Sequence, residues 1–253
     1  MNPLLIGAPL ALAAAAGTVA YGAAHPHSSL FGPIVWRTNS PRKLAITFDD
    51  GPNPKITPEL LDLLAAHKAR ATFFVIGRFA RECPELVGEI ARRGHVVANH
   101  TENHVNLFWR SAAQIRRELQ QCDEAISAAT GAAPRWFRPP FGMRNPWVIS
   151  EARAQKLDTV LWTHLPGDWR AKPADWLIKR MEVIAKRAQS AVRDGKYSET
   201  GSGDILCLHD GDHRFLNGDR SATLAALQHW LPRWRDLGLE FVTIDEAVNA
   251  PAR

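Results

Sequence analysis

Seven short apolar, β-branched or aromatic runs, at 43–48, 71–76, 95–99, 135–138, 157–162, 204–208 and 240–243, alternate along this chain with stretches of helical spacing at 58–67, 84–93, 112–130, 146–155, 174–192 and 223–237. Prolines open several of the helical stretches, and Gly94, Gly131 and Gly238 suit their ends. Strands alternating with helices build right-handed βαβ units on a parallel sheet, which leaves two architectures, an open doubly wound sheet or a closed barrel. The placement of polar residues separates them. Asp49 and Asp50 follow the first run, His100 the third, Arg138 the fourth, Asp168 comes shortly after the fifth and His209 directly after the sixth. In a barrel all C-terminal strand ends share one face, so these residues converge on a single cleft. In an open sheet they string out along an edge. The expectation is therefore an α/β fold of TIM-barrel type, with parallel strands inside and helices outside.

A chain of 253 residues can form such a barrel as one domain, and 45% hydrophobic with 23% charged residues excludes wholesale disorder. Cys83, Cys122 and Cys207 are odd in number and far apart, so neither a disulfide framework nor a cysteine zinc site is encoded. The net charge is +5, but basic and acidic residues are interleaved, which argues against nucleic acid as a partner. A monomer is the default expectation.

The N-terminal 36 residues differ in composition. They carry no Lys, Arg, Asp or Glu, and residues 3–24 form an Ala/Leu/Gly-rich run long enough to span a bilayer. A membrane anchor, a signal peptide and an apolar helix lying on the domain are all compatible with it. Arg37, Arg42 and Lys43 follow the run, and the positive-inside rule then holds the rest of the chain in the cytoplasm, against what an exported enzyme needs. Residues 25–29 read as a linker, which makes 1–36 a segment apart and 37–253 the catalytic domain.

Two features carry chemistry. Thr47-Phe48-Asp49-Asp50-Gly51-Pro52 sets two carboxylates where a strand becomes a turn; adjacent strand side chains point opposite ways, so one carboxylate can reach a metal while the other faces substrate. In His100-Thr101-Glu102-Asn103-His104 the histidines are four apart, the spacing of one face of a helical turn, with Glu102 directed elsewhere. Two imidazoles and one carboxylate with an open position form the ligand set of a catalytic divalent ion, which acidifies water and polarises a carbonyl. The remaining Asp can act as base and His209 as general acid. Arg138, in Arg138-Pro139-Pro140-Phe141-Gly142, suits a bidentate grip on a carboxylate, and the Phe141 backbone N–H suits an oxyanion.

These segments, with Gly167-Asp168-Trp169 and Leu206-Cys207-Leu208-His209-Asp210, occur in an order that resembles the polysaccharide deacetylases, carbohydrate esterase family 4 or the NodB homology domain, over roughly residues 43–243. The resemblance implies a distorted (β/α)7 barrel, in agreement with the seven runs. It also implies that Asp49 is the catalytic base, that Asp50, His100 and His104 bind zinc or a related ion such as cobalt, nickel or manganese, and that His209 is the acid. Arg138 would tether Asp49, Asp168 would orient His209, and Trp169 would wall the acetyl pocket. Three positions depart from the family pattern: Leu165 stands where an Asp is frequent, Cys207 where Leu is usual, and Val105 where Pro is common. Cys207 would alter the acyl pocket or simply fill it as a small apolar residue. The charged stretch 210–220 suits either a cleft wall or a solvated loop.

The function expected is metal-dependent removal of N-acetyl groups from an amino sugar in a glycan or oligosaccharide of chitin or peptidoglycan type, in the cell envelope. An alternative inside the same fold is deacylation or deformylation of a lipid-linked amino sugar, a glycolipid met at a membrane through residues 3–24. A non-haem iron oxygenase shares the two-His, one-carboxylate set but uses an all-β barrel, and an inactive glycan-binding relative would have lost the base, the acid or a ligand.

Overall fold

In a computed structural model, which describes residues 4–193 and 203–248, β1 (Lys43–Gly51) is the strand around which the sheet is built. All of Leu44–Gly51 is buried, as expected of a central parallel strand covered on both faces. The other strands are β2 (Thr72–Val75), β3 (Val96–Asn99), β4 (Trp136–Phe137), β5 (Asp158–Thr159), β6 (Asp204–His209) and β7 (Glu240–Val242). Every pairing is parallel, in the order β5-β4-β3-β2-β1-β6, with β7 pairing the first residues of β1. Beyond β5 the chain reaches β6 without regular pairing: Thr163 N–H donates to the Ile205 carbonyl at 3.0 Å and Cys207 N–H to the His164 carbonyl at 2.9 Å. The sheet thus curls into a distorted (β/α)7 barrel.

Among the described residues there are nine α-helices: α1 (Leu4–Ala24), α2 (Ile56–Ala66), α3 (Gly77–Glu82), α4 (Pro84–Arg92), α5 (Ala112–Thr130), α6 (Pro146–Ala154), α7 (Ala174–Arg193), α8 (Ser221–Asp236) and α9 (Ile244–Ala247). Their ends follow capping chemistry. α5 opens with a reciprocal Ser111–Gln114 capping box and closes on Gly131 with φ 76°, while Pro84 and Pro146 occupy first turns. α3 and α9, six and four residues long, escape sequence periodicity because neither completes two turns.

Period-two alternation divides the core. Leu44, Ile46 and Phe48 of β1 and Leu206 and Leu208 of β6 face outward, where they meet Leu60, Leu64, Leu227 and Trp234 of the helices. Trp230 and Trp234, stacked at 5.6 Å, belong to this helix layer. Ala45, Phe74, Ala98, Trp136, Ile205 and Val242 fill the interior. Going up the inward rows, Thr47 and Asp49 follow Ala45, and Cys207 and His209 follow Ile205, in the register Thr47↔Cys207 and Asp49↔His209. The rows change from apolar to ionisable at the C-terminal rim.

Pro3, the first residue of the apolar run, lies outside the described residues, as do 194–202 and 249–253 of the expected catalytic domain. The rest of the run is α1, and among the described residues no helix is long and apolar enough to cross a membrane. The end of α1 is docked on the barrel: buried Arg144 donates from Nη2 to the carbonyls of Gly22 (3.0 Å) and His25 (2.7 Å), and its backbone N–H donates to Ala23 (3.0 Å). A cation there meets the unpaired carbonyls and negative dipole end of the helix. Residues 25–42, read partly as a linker, also pack down. Val35 bridges Val160 of the barrel, and Thr38 is buried against Lys43 and Gly203.

Candidate active site

Asp49 and Asp50 do not split between two faces. The β1–β2 register shifts between Asp49 and Gly51, and Asp50 has φ 70°, so this bulge adds a residue and turns the second carboxylate back into the barrel mouth. His100 and His104 are likewise not on a helix. They flank a tight loop after β3 in which Thr101 (φ 67°) and His104 (φ 53°) take the left-handed conformation. Asn99 Oδ1 accepts the Thr101 N–H at 2.7 Å and Thr101 Oγ1 accepts the His104 N–H at 3.0 Å, which folds the loop back so that the rings lie 4.9 Å apart. Among the described residues, four of the six non-glycine residues with positive φ are Asp50, Thr101, His104 and Phe141, all at this mouth. Each costs on the order of 1–3 kcal/mol, a strain found where geometry serves function. Glu102 points away to an ion pair with Arg81.

The three ligand candidates meet: Asp50 Oδ1 lies 3.1 Å from His104 Nε2 and 3.5 Å from His100 Nε2. His100 Nδ1 is 2.8 Å from the Arg138 carbonyl, an acceptor only, so Nδ1 carries the hydrogen and Nε2 turns a lone pair toward the carboxylate. Two acceptors facing each other require a cation or a proton between them. Asp50 Oδ1 and His104 Nδ1 are also buried without a hydrogen-bond partner. Burial by itself would raise the Asp50 carboxyl, yet the imidazoles of His100, His104 and His213 hold it well below the usual carboxylate range. Burial also lowers the His104 imidazole, which favours the neutral form that binds metals. Donor set, orphaned atoms and protonation states fit a divalent ion.

Beside this cluster, Arg138 is fully buried and its Nη1 donates to Asp49 Oδ1 at 2.6 Å and to Thr47 Oγ1 at 2.8 Å. The grip is through one nitrogen rather than bidentate, because Nη2 and Nε turn to the carbonyls of Leu161 and Val160. The guanidinium also lies 4.0 Å from the Phe74 ring centre. Asp168 holds His209 twice, accepting its backbone N–H at 2.7 Å on Oδ2 and pairing with Nδ1 at 2.8 Å through Oδ1, while the Thr223 hydroxyl donates to Oδ2 at 2.9 Å. Burial disfavours the His209 imidazolium, but Asp168, helped by Asp50 and Asp49, outweighs it and raises the pKa to about 9. Asp168 thus favours the protonated imidazole and takes up its Nδ1.

Asp49, Asp50, His100, His104 and His209 line one cleft of about 480 Å³, with Phe141, Trp162, Leu165, Trp169 and Cys207 as its less polar walls. Phe141 (φ 59°) sets its ring 4.7 Å from His104, and Trp169 stands edge-on to His209 at 5.2 Å. Cys207 Sγ is 3.3 Å from Asp49 Oδ2; burial and the neighbouring Asp49 push the thiol pKa well up, so it stays protonated and donates to that oxygen. All three cysteines are free. The charged stretch 210–220 does wall the cleft, through Asp212, His213, Arg214 and Arg220, although no separate role was read for His213; sequence reasoning gave no role to Thr47 or Thr223.

A family model for polysaccharide deacetylase matches residues 37–160. The peptidoglycan-N-acetylglucosamine deacetylase of Bacillus cereus is 37% identical over 221 residues, 86% of this chain and 94% of the relative. The chain belongs to the polysaccharide deacetylase family. A chitooligosaccharide deacetylase of Sinorhizobium fredii is 35% identical over 76% of this chain and 86% of its own length. A solved peptidoglycan N-acetylglucosamine deacetylase, in complex with 4-naphthalen-1-yl-N-oxidanyl-benzamide, superposes with a TM-score of 0.72 at 27% identity, covering 87% of this chain and 95% of that one. The departures of this polysaccharide deacetylase from its family pattern fall in two places. Leu165 and Cys207 line the cleft, whereas Val105 packs on the Leu107–Ile115 cluster away from it.

Proposed function

We propose that this deacetylase hydrolyses the acetamide of N-acetylated amino sugars in an envelope glycan or its oligosaccharides, of peptidoglycan or chitooligosaccharide type, with Asp49 as base and His209 as acid. The observation that carries the proposal is the cross-strand pair Asp49↔His209. That pair supports the reading because a carboxylate held by Arg138 and an imidazole held by Asp168 stand on neighbouring inward rows, at the rim where Asp50, His100 and His104 converge. Those last three residues would hold a divalent ion, for which zinc, cobalt, nickel and manganese all suit two imidazoles and a carboxylate. When bound, such an ion supplies a Lewis acid that polarises a carbonyl and acidifies water. Asp49 Oδ2, the carboxylate oxygen not engaged by Arg138, takes the proton of the attacking water. His209 Nε2 protonates the departing amine, since C–N cleavage needs a neutral leaving group. The Phe141 N–H and ring border the acetyl carbonyl, and Trp169 walls the acetyl pocket.

The cell envelope is the site of action in this proposal, supported by the substrate that the B. cereus relative's name gives. Leu12 and Val19 of α1, 73% and 46% exposed, are the apolar side chains through which the helix would meet a membrane.

Acetate release from N-acetylglucosamine oligomers and peptidoglycan fragments by the full chain, with chelator and then added zinc or cobalt, tests the function. Chelator-sensitive release restored by metal is expected; no release from the metal-loaded, folded protein would overturn it. His104→Ala is expected to lower metal content at least tenfold by elemental analysis, and unchanged content would remove His104 from the ligands. Cys207→Leu adds bulk to the pocket row, so the ratio of N-acetyl to N-propionyl cleavage should rise by about tenfold, the usual discrimination for one methylene. An unchanged ratio would take Cys207 out of the acyl pocket.

A further inference from the structure

The loop after β6 brings a residue to the metal cluster that neither the motifs nor the β/α periodicity singled out. His213 stacks on His104 with ring centres 4.4 Å apart and planes at 21°, and its Nδ1 lies 3.8 Å from Asp50 Oδ2. One ligand atom each from Asp50, His104 and His213 lie within 4.8 Å of one another. We propose that His213 is a further protein ligand of the divalent site, which rests on the metal-binding role of Asp50 and His104 given above.

The loop is built to hold that position. Asn53 Nδ2 donates to the carbonyls of Asp210 (2.9 Å) and Gly218 (2.8 Å), tying both ends of the loop to the turn after β1. Asp212, next to His213, accepts from the Arg214 backbone N–H at 3.0 Å and from its guanidinium at 2.9 and 2.7 Å, and lies 3.4 Å from Arg220. The Arg78 guanidinium donates to the His213 carbonyl itself. Backbone and flanking side chains are thus pinned, and the imidazole projects from a fixed base toward the carboxylate. A second observation is independent of the loop: Asp50 Oδ1 and His104 Nδ1 are buried with no hydrogen-bond partner, so the two residues that His213 adjoins carry polar atoms left unpaired by the protein, while His213 itself approaches the other Asp50 oxygen, Oδ2. The His213 side chain is 39% exposed, so its ring has room to turn about its side-chain torsions, and it would share an ion with Asp50. His213 would add a third imidazole to the two imidazoles and one carboxylate of the cluster and so would strengthen its hold on a divalent ion.

The test is competition titration of the metal-free full chain with Co²⁺ and Zn²⁺ against a chromogenic chelator, alongside the visible Co²⁺ absorption spectrum. Parallel measurements use His213→Ala, His213→Gln and His104→Ala, with folding checked by circular dichroism. His213 is part exposed on a surface loop, so its variants should fold. The expected result is a 10–100-fold rise in Kd for His213→Ala and His213→Gln, with an altered Co²⁺ band, and a larger loss for His104→Ala. Unchanged Kd and spectrum in both His213 variants, with binding lost in His104→Ala, would overturn the proposal and leave the metal site standing. Failure of the parent protein to bind either ion would overturn the metal site itself and His213 with it.

Discussion

Asp49→Asn is expected to lower kcat by roughly 10²–10⁴-fold, the usual contribution of a positioned general base, while leaving metal content unchanged. The two effects separate because Asp49 stands beside the ligand cluster: its Oδ2 is 3.8 Å from His100 Nε2, against 3.5 Å for Asp50 Oδ1, and its Oδ1 is already engaged by Arg138 at 2.6 Å. An amide keeps an oxygen for Arg138 but cannot take a proton from water. Asp49→Ala removes that oxygen as well and leaves the guanidinium buried without its carboxylate. Breaking a buried pair in this way costs about 3–5 kcal/mol, so the alanine variant should also lose stability where the asparagine variant largely retains it. Turnover, elemental analysis and thermal melting on both variants check the prediction. Full activity in Asp49→Asn would mean the base is elsewhere.

The second large effect is on pH dependence. A general acid must be protonated, so kcat should fall as pH rises through the His209 pKa, which Asp168, with help from Asp50 and Asp49, raises from 6.5 to about 9 against the opposing effect of burial. A divalent ion held by Asp50, His100 and His104 would weaken the contribution of the Asp50 carboxylate, so the alkaline limb of the loaded enzyme is expected below about 9. Asp168→Asn removes the dominant stabiliser of the imidazolium, and the limb should move to lower pH with kcat at neutral pH reduced. It also removes the acceptor for the His209 N–H and the Thr223 hydroxyl. Thr223→Val serves as the control, since it perturbs the same packing while leaving the carboxylate in place. Profiles of kcat against pH for the three proteins decide the matter. A limb that does not move in Asp168→Asn would show that His209 is not the acid, or that Asp168 does not set its pKa.

The seven strands and six long helices were legible because each depends on local chemistry: apolar runs, prolines in first turns, glycines at helix ends. So was the convergence of Asp49, His100, Arg138, Asp168 and His209, since the C-terminal ends of parallel strands in a barrel must share a face. Strand alternation alone misdirected Asp50, because a one-residue bulge reverses the facing of everything after it and leaves no compositional trace. Helical spacing misdirected His100 and His104, whose approach depends on two positive φ values that neither threonine nor histidine advertises.

By itself, then, the amino-acid sequence determined the barrel, its rim and the residue types available for acid–base and metal chemistry, because hydrophobic period and strand-end position are properties of short stretches. Only the tertiary structure decided which oxygen of Asp49 Arg138 occupies, that Cys207 donates to the other, that α1 ends on Arg144, and that His213 comes to stand over Asp50. Each of these joins residues far apart in the chain, or turns on a backbone angle at a single residue, and local pattern carries no information about either.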